Sequence, residues 1–196
     1  MIIRLLLYIK HKITFVWKII ERSNAILFSV FYNSRLEKVL SEVLNEFTLP
    51  PYVFRRLKIT DAGNLFDLIN RQTVTDLKYF RPHGFDPDSI RNLFKNRSFL
   101  MMGTFEGEKM TGYFFLRFFI NKKCFVGRLI DRDHRGRGIG PMMNNILYET
   151  AWRMKFRCFS TISRENTAVI MAHKKNRSMV VLKELKNDYL LVEFVR

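Results

Sequence analysis

The chain has 196 residues, room for one ordinary domain and a short extension but too few for two full domains. At 47% hydrophobic and 27% charged it is too apolar for a disordered chain and too interrupted by charge for an integral membrane bundle. Thirty-four Lys and Arg against eighteen Asp and Glu give a formal charge of +16, which predicts attraction to polyanions: nucleic acid, anionic lipid or a phosphorylated small molecule.

The first twenty-odd residues read as a helix, with Arg4, His11, Thr14, Lys18, Glu21 and Arg22 on one face and Ile2, Leu5, Leu6, Ile9, Ile13, Val16, Trp17 and Ile20 on the other. Arg4, Lys10, Lys12 and Lys18 interrupt the apolar start, so no transmembrane helix is expected. A signal peptide is not expected either, because the uninterrupted apolar run is only Leu5 to Ile9. Four Lys or Arg before the first acid make this the composition of a helix lying on an anionic membrane. Packing on the chain's own domain or on a second subunit is the equal alternative. A second helix is expected from about Asn33, carrying Leu36, Val39, Leu40, Val43, Leu44 and Phe47 at helical spacing. It must stop before Pro50 and Pro51, which divide residues 1–50, a helical extension, from a domain over residues 51–196.

Val53 to Ile59 reads as a strand, and Thr60 or Asp61 as the cap of a helix through about Arg71. A loop with Pro82, Gly84 and Pro87 leads to a short helix begun by Asp88 or Ser89. Three strands follow, Ser98 to Phe105, Met110 to Ile120 and Cys124 to Asp131, with connections short enough for antiparallel hairpins. These elements predict an α/β domain with a mixed sheet.

The segment Arg135-Gly136-Arg137-Gly138-Ile139-Gly140 lies between the strand ending near Asp131 and a helix carrying Met142, Met143, Ile146, Leu147, Ala151 and Met154. A glycine-rich turn feeding a helix N-terminus is an anion site: glycines keep side chains away, and the first-turn N–H groups and helix dipole point at the anion. Pro141 is expected at the first helical position. A Walker loop would need Gly-Lys-Ser/Thr, and a dinucleotide fingerprint would need glycine where Pro141 stands.

Here the chain resembles the GNAT superfamily of acyl-CoA-dependent N-acyltransferases. Arg135, Gly138 and Gly140 meet the family's Arg/Gln-x-x-Gly-x-Gly/Ala signature, preceded by the strand end Leu129-Ile130-Asp131. Downstream, a strand from about Arg157 to Ser163 leads to Asn166-Thr167-Ala168-Val169-Ile170, similar to the family's Asn-led fourth helix. The likeness in element order runs from about Val53 to Phe194. It implies an α/β (α+β) fold, a mixed, mostly antiparallel sheet flanked by helices, whose two central parallel strands splay to accept pantetheine. Acetyl-CoA is then the implied cosubstrate, without a metal. Arg128, Leu129 and Ile130 would offer backbone groups to the pantetheine, the amides from Gly136 to Gly140, including Arg137 and Ile139, would hold the pyrophosphate, and Asn166 would contact the cofactor.

The sequence departs from the family at three points. His173 stands where many members place the Tyr that protonates the departing thiolate; an imidazole can do this acid work, and equally can be a helix-face histidine beside Lys174 and Lys175. Arg177-Ser178 replaces a common Gly-Phe. From Lys109 to Ile130 there is no carboxylate to serve as base; Glu106, Asp131 and His134 are the nearby candidates and read equally as solvated turn residues. The loop from Thr75 to Phe85, with Tyr79, Phe80, Arg81, Pro82 and His83, corresponds to the region that shapes the acceptor site, or packs down on the domain.

The expected function is transfer of an acetyl group from acetyl-CoA to a primary amine acceptor by direct attack in a ternary complex. Fourteen Lys or Arg between Arg117 and Arg177, against Asp131, Asp133, Glu149 and Glu165, suit the phosphates of CoA. The alternative is a non-catalytic module binding anionic membrane or nucleic acid, although the basic residues form no recognisable RNA-binding motif. A third reading recruits the enzyme to a membrane through residues 1–22. Cys124 and Cys158 lack CxxC spacing and the four histidines are scattered, so no disulfide or metal site is expected, and a reducing cytoplasm is the simpler location.

Overall fold

A computed structural model describes residues 14–167, 169–170 and 179–196. Within it the chain runs α1 (Thr14–Glu46), β1 (Val53–Arg56), a 3-10 turn (Ile59–Asp61), α2 (Ala62–Asn70), α3 (Val74–Leu77) and α4 (Pro87–Leu93). It continues through β2 (Phe99–Glu106), β3 (Lys109–Phe119), β4 (Lys123–Ile130), a second 3-10 turn (Arg132–His134), α5 (Ile139–Arg153), β5 (Arg157–Ser163), β6 (Met179–Glu184) and β7 (Tyr189–Phe194). The strands form one open sheet in the order β1-β2-β3-β4-β5-β7-β6. Every neighbouring pair is antiparallel except β4 and β5, so the predicted mixed, mostly antiparallel α/β architecture is the one observed.

Both faces of the central strands are covered, which is why β3 reads as a near-continuous apolar run rather than an alternation. Against one face α1 and α5 bury Phe28, Leu36, Val39, Leu40, Val43, Met143, Ile146 and Leu147 with Leu116, Phe118, Val126 and Val192. Against the other, α2 and α4 bury Leu65, Leu68, Ile69 and Ile90 with Phe99, Met101, Tyr113, Phe115 and Leu129.

Two expectations about the N-terminal helix need correction. There is no break between the predicted first and second helices: α1 is one continuous helix of 33 residues, with no Gly or Pro inside it. Asn24, within the continuous stretch, finds its partners on the sheet. Asn24 donates to the Phe118 carbonyl at 2.9 Å and to Ser98 Oγ at 3.1 Å, and accepts from Ile120 N at 2.9 Å. Of the predicted polar face Lys18 and Arg22 are exposed, whereas Glu21 pairs with Arg117 of the sheet. The solvent side also carries Ile19, Ile26 and Val30. Residues 1–13, the rest of that predicted helix, lie outside the described residues.

Smaller shifts follow local capping. Asp86, not Asp88 or Ser89, begins α4 by accepting from Ser89 N at 2.9 Å. β1 stops at Arg56 because Asp61 accepts from Lys58 N at 2.7 Å and closes a 3-10 turn where the strand was expected to continue. Pro141 sits at the third helical position of α5 rather than the first, still within the turn whose N–H groups need no intrahelical acceptor.

Candidate active site

β4 and β5 run side by side for three residue pairs, Lys123 with Arg157, Cys124 with Cys158 and Phe125 with Phe159, and then part. Beyond that point β5 stays paired with β7 and β4 with β3, so a gap opens in the middle of the sheet. Ser160 Oγ bridges its apex by donating to the Val126 carbonyl at 3.2 Å. The Ile130 carbonyl also faces this side, accepting from Arg135 Nε at 3.3 Å. Backbone groups repeat every second residue along a strand, so Arg128, midway between them, presents its N–H and C=O to the gap. Leu129 turns the other way, its side chain buried with α2 and α4.

The glycine-rich loop lies at the C-terminal end of β4, on the rim of the gap. Gly136 (φ +76°) and Gly138 (φ +82°) occupy the left-handed region, which costs other residues about 1–2 kcal/mol. Gly138 is the residue before α5, so the chain turns sharply into a helix whose first N–H groups have no intrahelical acceptor. Gly140 works differently from the expectation that it merely clears space for an anion: it is buried, and a Cβ there would stand 2.9 Å from Arg128 Nη1 and 3.2 Å from Ile130 Cδ1. It lets α5 sit directly on β4. Ile139 is buried in the core beneath.

The arginines of the signature divide their work. Arg135 pairs with Asp76 of α3 at 2.7 Å, which together with its bond to the Ile130 carbonyl fixes the loop to both neighbours. Arg137 reaches the Tyr52 hydroxyl at 3.4 Å. Arg128, singled out in the sequence for its backbone only, also matters for its side chain. Its neighbours on the same strand face, Cys124, Val126 and Ile130, are apolar, and period two along β4 was the signal that an arginine stands on a core face. Its guanidinium lies against Gly140, and its Nε donates to Asn144 Oδ1 at 2.8 Å. It has no carboxylate partner among the described residues. Burial pushes its pKa down, only partly offset by Tyr148. A half-buried cation at the positive end of a helix is unfavourable until an anion joins it.

On the β5 side Asn166 caps the next helical turn, its Oδ1 accepting from Val169 N at 3.2 Å while its carbonyl accepts from Ile170 N at 3.0 Å. His173 lies outside the described residues. The segment 73–79 spans between the two rims: Asp76 holds Arg135, while Lys78 Nζ and Tyr79 Oη reach Glu165 at 2.8 and 3.0 Å. Beyond it the aromatic loop packs down on the sheet, Phe80 lying 6.1 Å from the Tyr113 ring and over Gly127.

Asp131 and His134 are not solvated turn residues, whereas the Glu106 side chain, at the end of β2, is 39% exposed. Asp131 and His134 are 4% and 5% exposed; Arg71 binds Asp131 at 3.1 Å, and His134 Nε2 lies 3.3 Å from Glu106. This cluster ties the end of β4 to α2 and to the β2–β3 turn. Among the described residues no group of three or more His, Cys, Asp or Glu could hold a metal ion, and no helix is long and apolar enough to cross a membrane.

His83 carries a pH dependence. Its Nδ1 lies 2.7 Å from the Gly84 carbonyl and so bears the proton, leaving Nε2, 3.1 Å away, to accept from the Tyr113 hydroxyl. Tyr113 keeps its proton because burial pushes its pKa up, whereas burial pushes that of His83 below its ordinary 6.5. A depressed histidine pKa favours the neutral form on folding, so its contribution to stability is complete above about pH 6.5 and is lost as pH falls through the folded value. The thermal midpoint should drop on acidification to about pH 5, and the drop should be smaller in His83→Gln; equal drops in both proteins would refute this role.

No family model matches the chain, and no curated protein sequence matches it. Solved structures do. The PaiA N-acetyltransferase of Thermoplasma acidophilum, in complex with coenzyme A, superposes with a TM-score of 0.61 at 15% identity, covering 74% of this chain and 99% of that one. The ribosomal-protein-S5-alanine acetyltransferase of Vibrio fischeri gives 0.61 at 16% identity over 76% of this chain and 95% of its own. The GNAT domain of S. lividans PAT gives 0.61 at 13% identity over 72% and 88%. At these identities the likeness is one of fold.

Proposed function

We propose that this chain, whose fold is that of the GNAT acyltransferases, transfers an acetyl group from acetyl-CoA to a primary amine by direct attack in a ternary complex. The observation that carries the reading is the parting of β4 from β5 after the Phe125–Phe159 pair, with the N-terminus of α5 at the end of β4. The gap offers a strand edge at Arg128 to an extended amide-bearing chain such as pantetheine. The amides from Gly136 to Gly140 would hold the pyrophosphate, and the Arg128 guanidinium would gain the anion it lacks. Asn166 would contribute its amide nitrogen from the far rim. Leu129 would contribute through the backbone it shares with Arg128 and Ile130.

The thioester is already activated, so the chain's task is chiefly positioning. The amine nitrogen bonds to the thioester carbon, the C–S bond breaks, the thiolate takes a proton and the amine gives one up. His173 is our candidate donor to the thiolate. No carboxylate or imidazole among the described residues is assigned as base: Asp131 and His134 are locked in the cluster with Arg71 and Glu106, and both His83 nitrogens are engaged. Proton loss by the amine through water, or an acceptor that arrives neutral, fits this surrounding.

The test is release of free thiol from acetyl-CoA across a panel of amino sugars, polyamines and peptide N-termini. Amine-dependent release that His173→Ala slows at least about tenfold is the expected result. Acetyl-CoA binding with no release for any amine would leave the non-catalytic reading standing. The acceptor and a cytoplasmic location remain part of the proposal.

A further inference from the structure

The outward face of α1 carries a second apolar surface that packing of the domain does not use. Phe28, fully buried, marks the inner side; half a turn round, Ile19, Ile26 and Val30 stand at helical spacing, flanked by Ile20, Leu27 and Phe31. Val30 is 73% exposed, Phe31 64% and Ile26 56%. Six large apolar side chains on one exposed side of a helix is more than scattered surface leucines and isoleucines would give, and such contiguous patches mark interaction sites.

The charge around the patch says what covers it. Lys18 and Arg22 are exposed beside it on α1, and Arg97 donates to Ser29 at 3.0 Å. Glu21 is paired with Arg117, and Glu37, farther along the outward stripe, with Arg56. A second copy docked on this face would bring together two chains each carrying +16. An anionic bilayer satisfies both features, taking the aliphatic side chains into the headgroup boundary and the cations among the lipid phosphates.

We propose that the outward face of α1 is a membrane-contact surface that lies on an anionic lipid bilayer, with Ile26, Val30 and Phe31 entering the headgroup boundary. The surface is independent of the acyltransferase reading and is tested without any measurement of activity.

The experiment is co-sedimentation of the full chain with vesicles of phosphatidylglycerol and phosphatidylcholine in equal parts, and with phosphatidylcholine alone. The chain should partition onto the anionic vesicles and much less onto the neutral ones. Ile26→Glu with Val30→Glu should weaken that partition at least about tenfold while leaving the thermal midpoint in place, since both side chains face solvent. Leu27→Ser with Phe31→Ser provides a milder pair that should act in the same direction. Unchanged binding by both double variants would overturn the proposal, because charge alone or residues 1–13 would then suffice. It would be overturned equally by a chain that ignores vesicles, whether it elutes as a monomer or as a dimer that the same substitutions split.

Discussion

Phe28→Ala is expected to destabilise the protein by about 3–5 kcal/mol, a large share of the 5–15 kcal/mol of an ordinary domain. Phe28 is fully buried, stacked on Phe118 with ring centroids 4.8 Å apart, and in edge contact with Phe156 at 6.1 Å. Its truncation removes contacts that join α1 to β3 and to the turn before β5, where the surrounding rings cannot all close in to fill the space. The comparison substitution is Val30→Ala, two residues on and turned outward, which should change stability by less than about 0.5 kcal/mol. Chemical unfolding of the two variants decides the matter. Similar small effects from both would mean that α1 is an appendage rather than a wall of the core.

Gly138→Glu is expected to weaken acetyl-CoA binding by more than about a hundredfold, or about 2.8 kcal/mol. Two effects act together. Gly138 sits at φ +82°, so any side chain strains the entry to α5. A carboxylate there also places negative charge where the first-turn amides would receive a phosphate. The nearest atom to a Cβ at this position is Leu49 Cδ2 at 3.6 Å, an ordinary contact, so the variant should still fold. Gly138→Ala separates the effects, since it carries the strain without the charge and should cost binding far less. Equal losses in the two variants would point to loop geometry alone.

How much of this could be read beforehand differs along the chain. β5 matched its expected span because Lys155, with φ +61°, closes the turn after α5, and the apolar run Cys158, Phe159 and Ile162 lies between polar ends. The glycine-rich loop was legible because the need for positive φ is written directly in residue type. The continuity of α1 was not, since the sequence reads as two helices, the second from about Asn33, and the sheet edge that satisfies Asn24 lies some ninety residues away. The buried state of Asp131 and His134 was hidden for the same reason: Arg71, sixty residues away, neutralises one, and Glu106 meets the other. Arg128 lay in between. Its strand face was predictable from period two, but the absence of a carboxylate beside it depends on α5 having come to rest there.

Calorimetric titration of the full chain with acetyl-CoA at moderate salt tests most directly whether the gap between β4 and β5 is the acetyl-CoA site. Saturable one-to-one binding that is lost in Gly138→Glu is the predicted result. A wild-type chain that gives no heat with acetyl-CoA, or a Gly138→Glu variant that binds as tightly as the wild type, would contradict it.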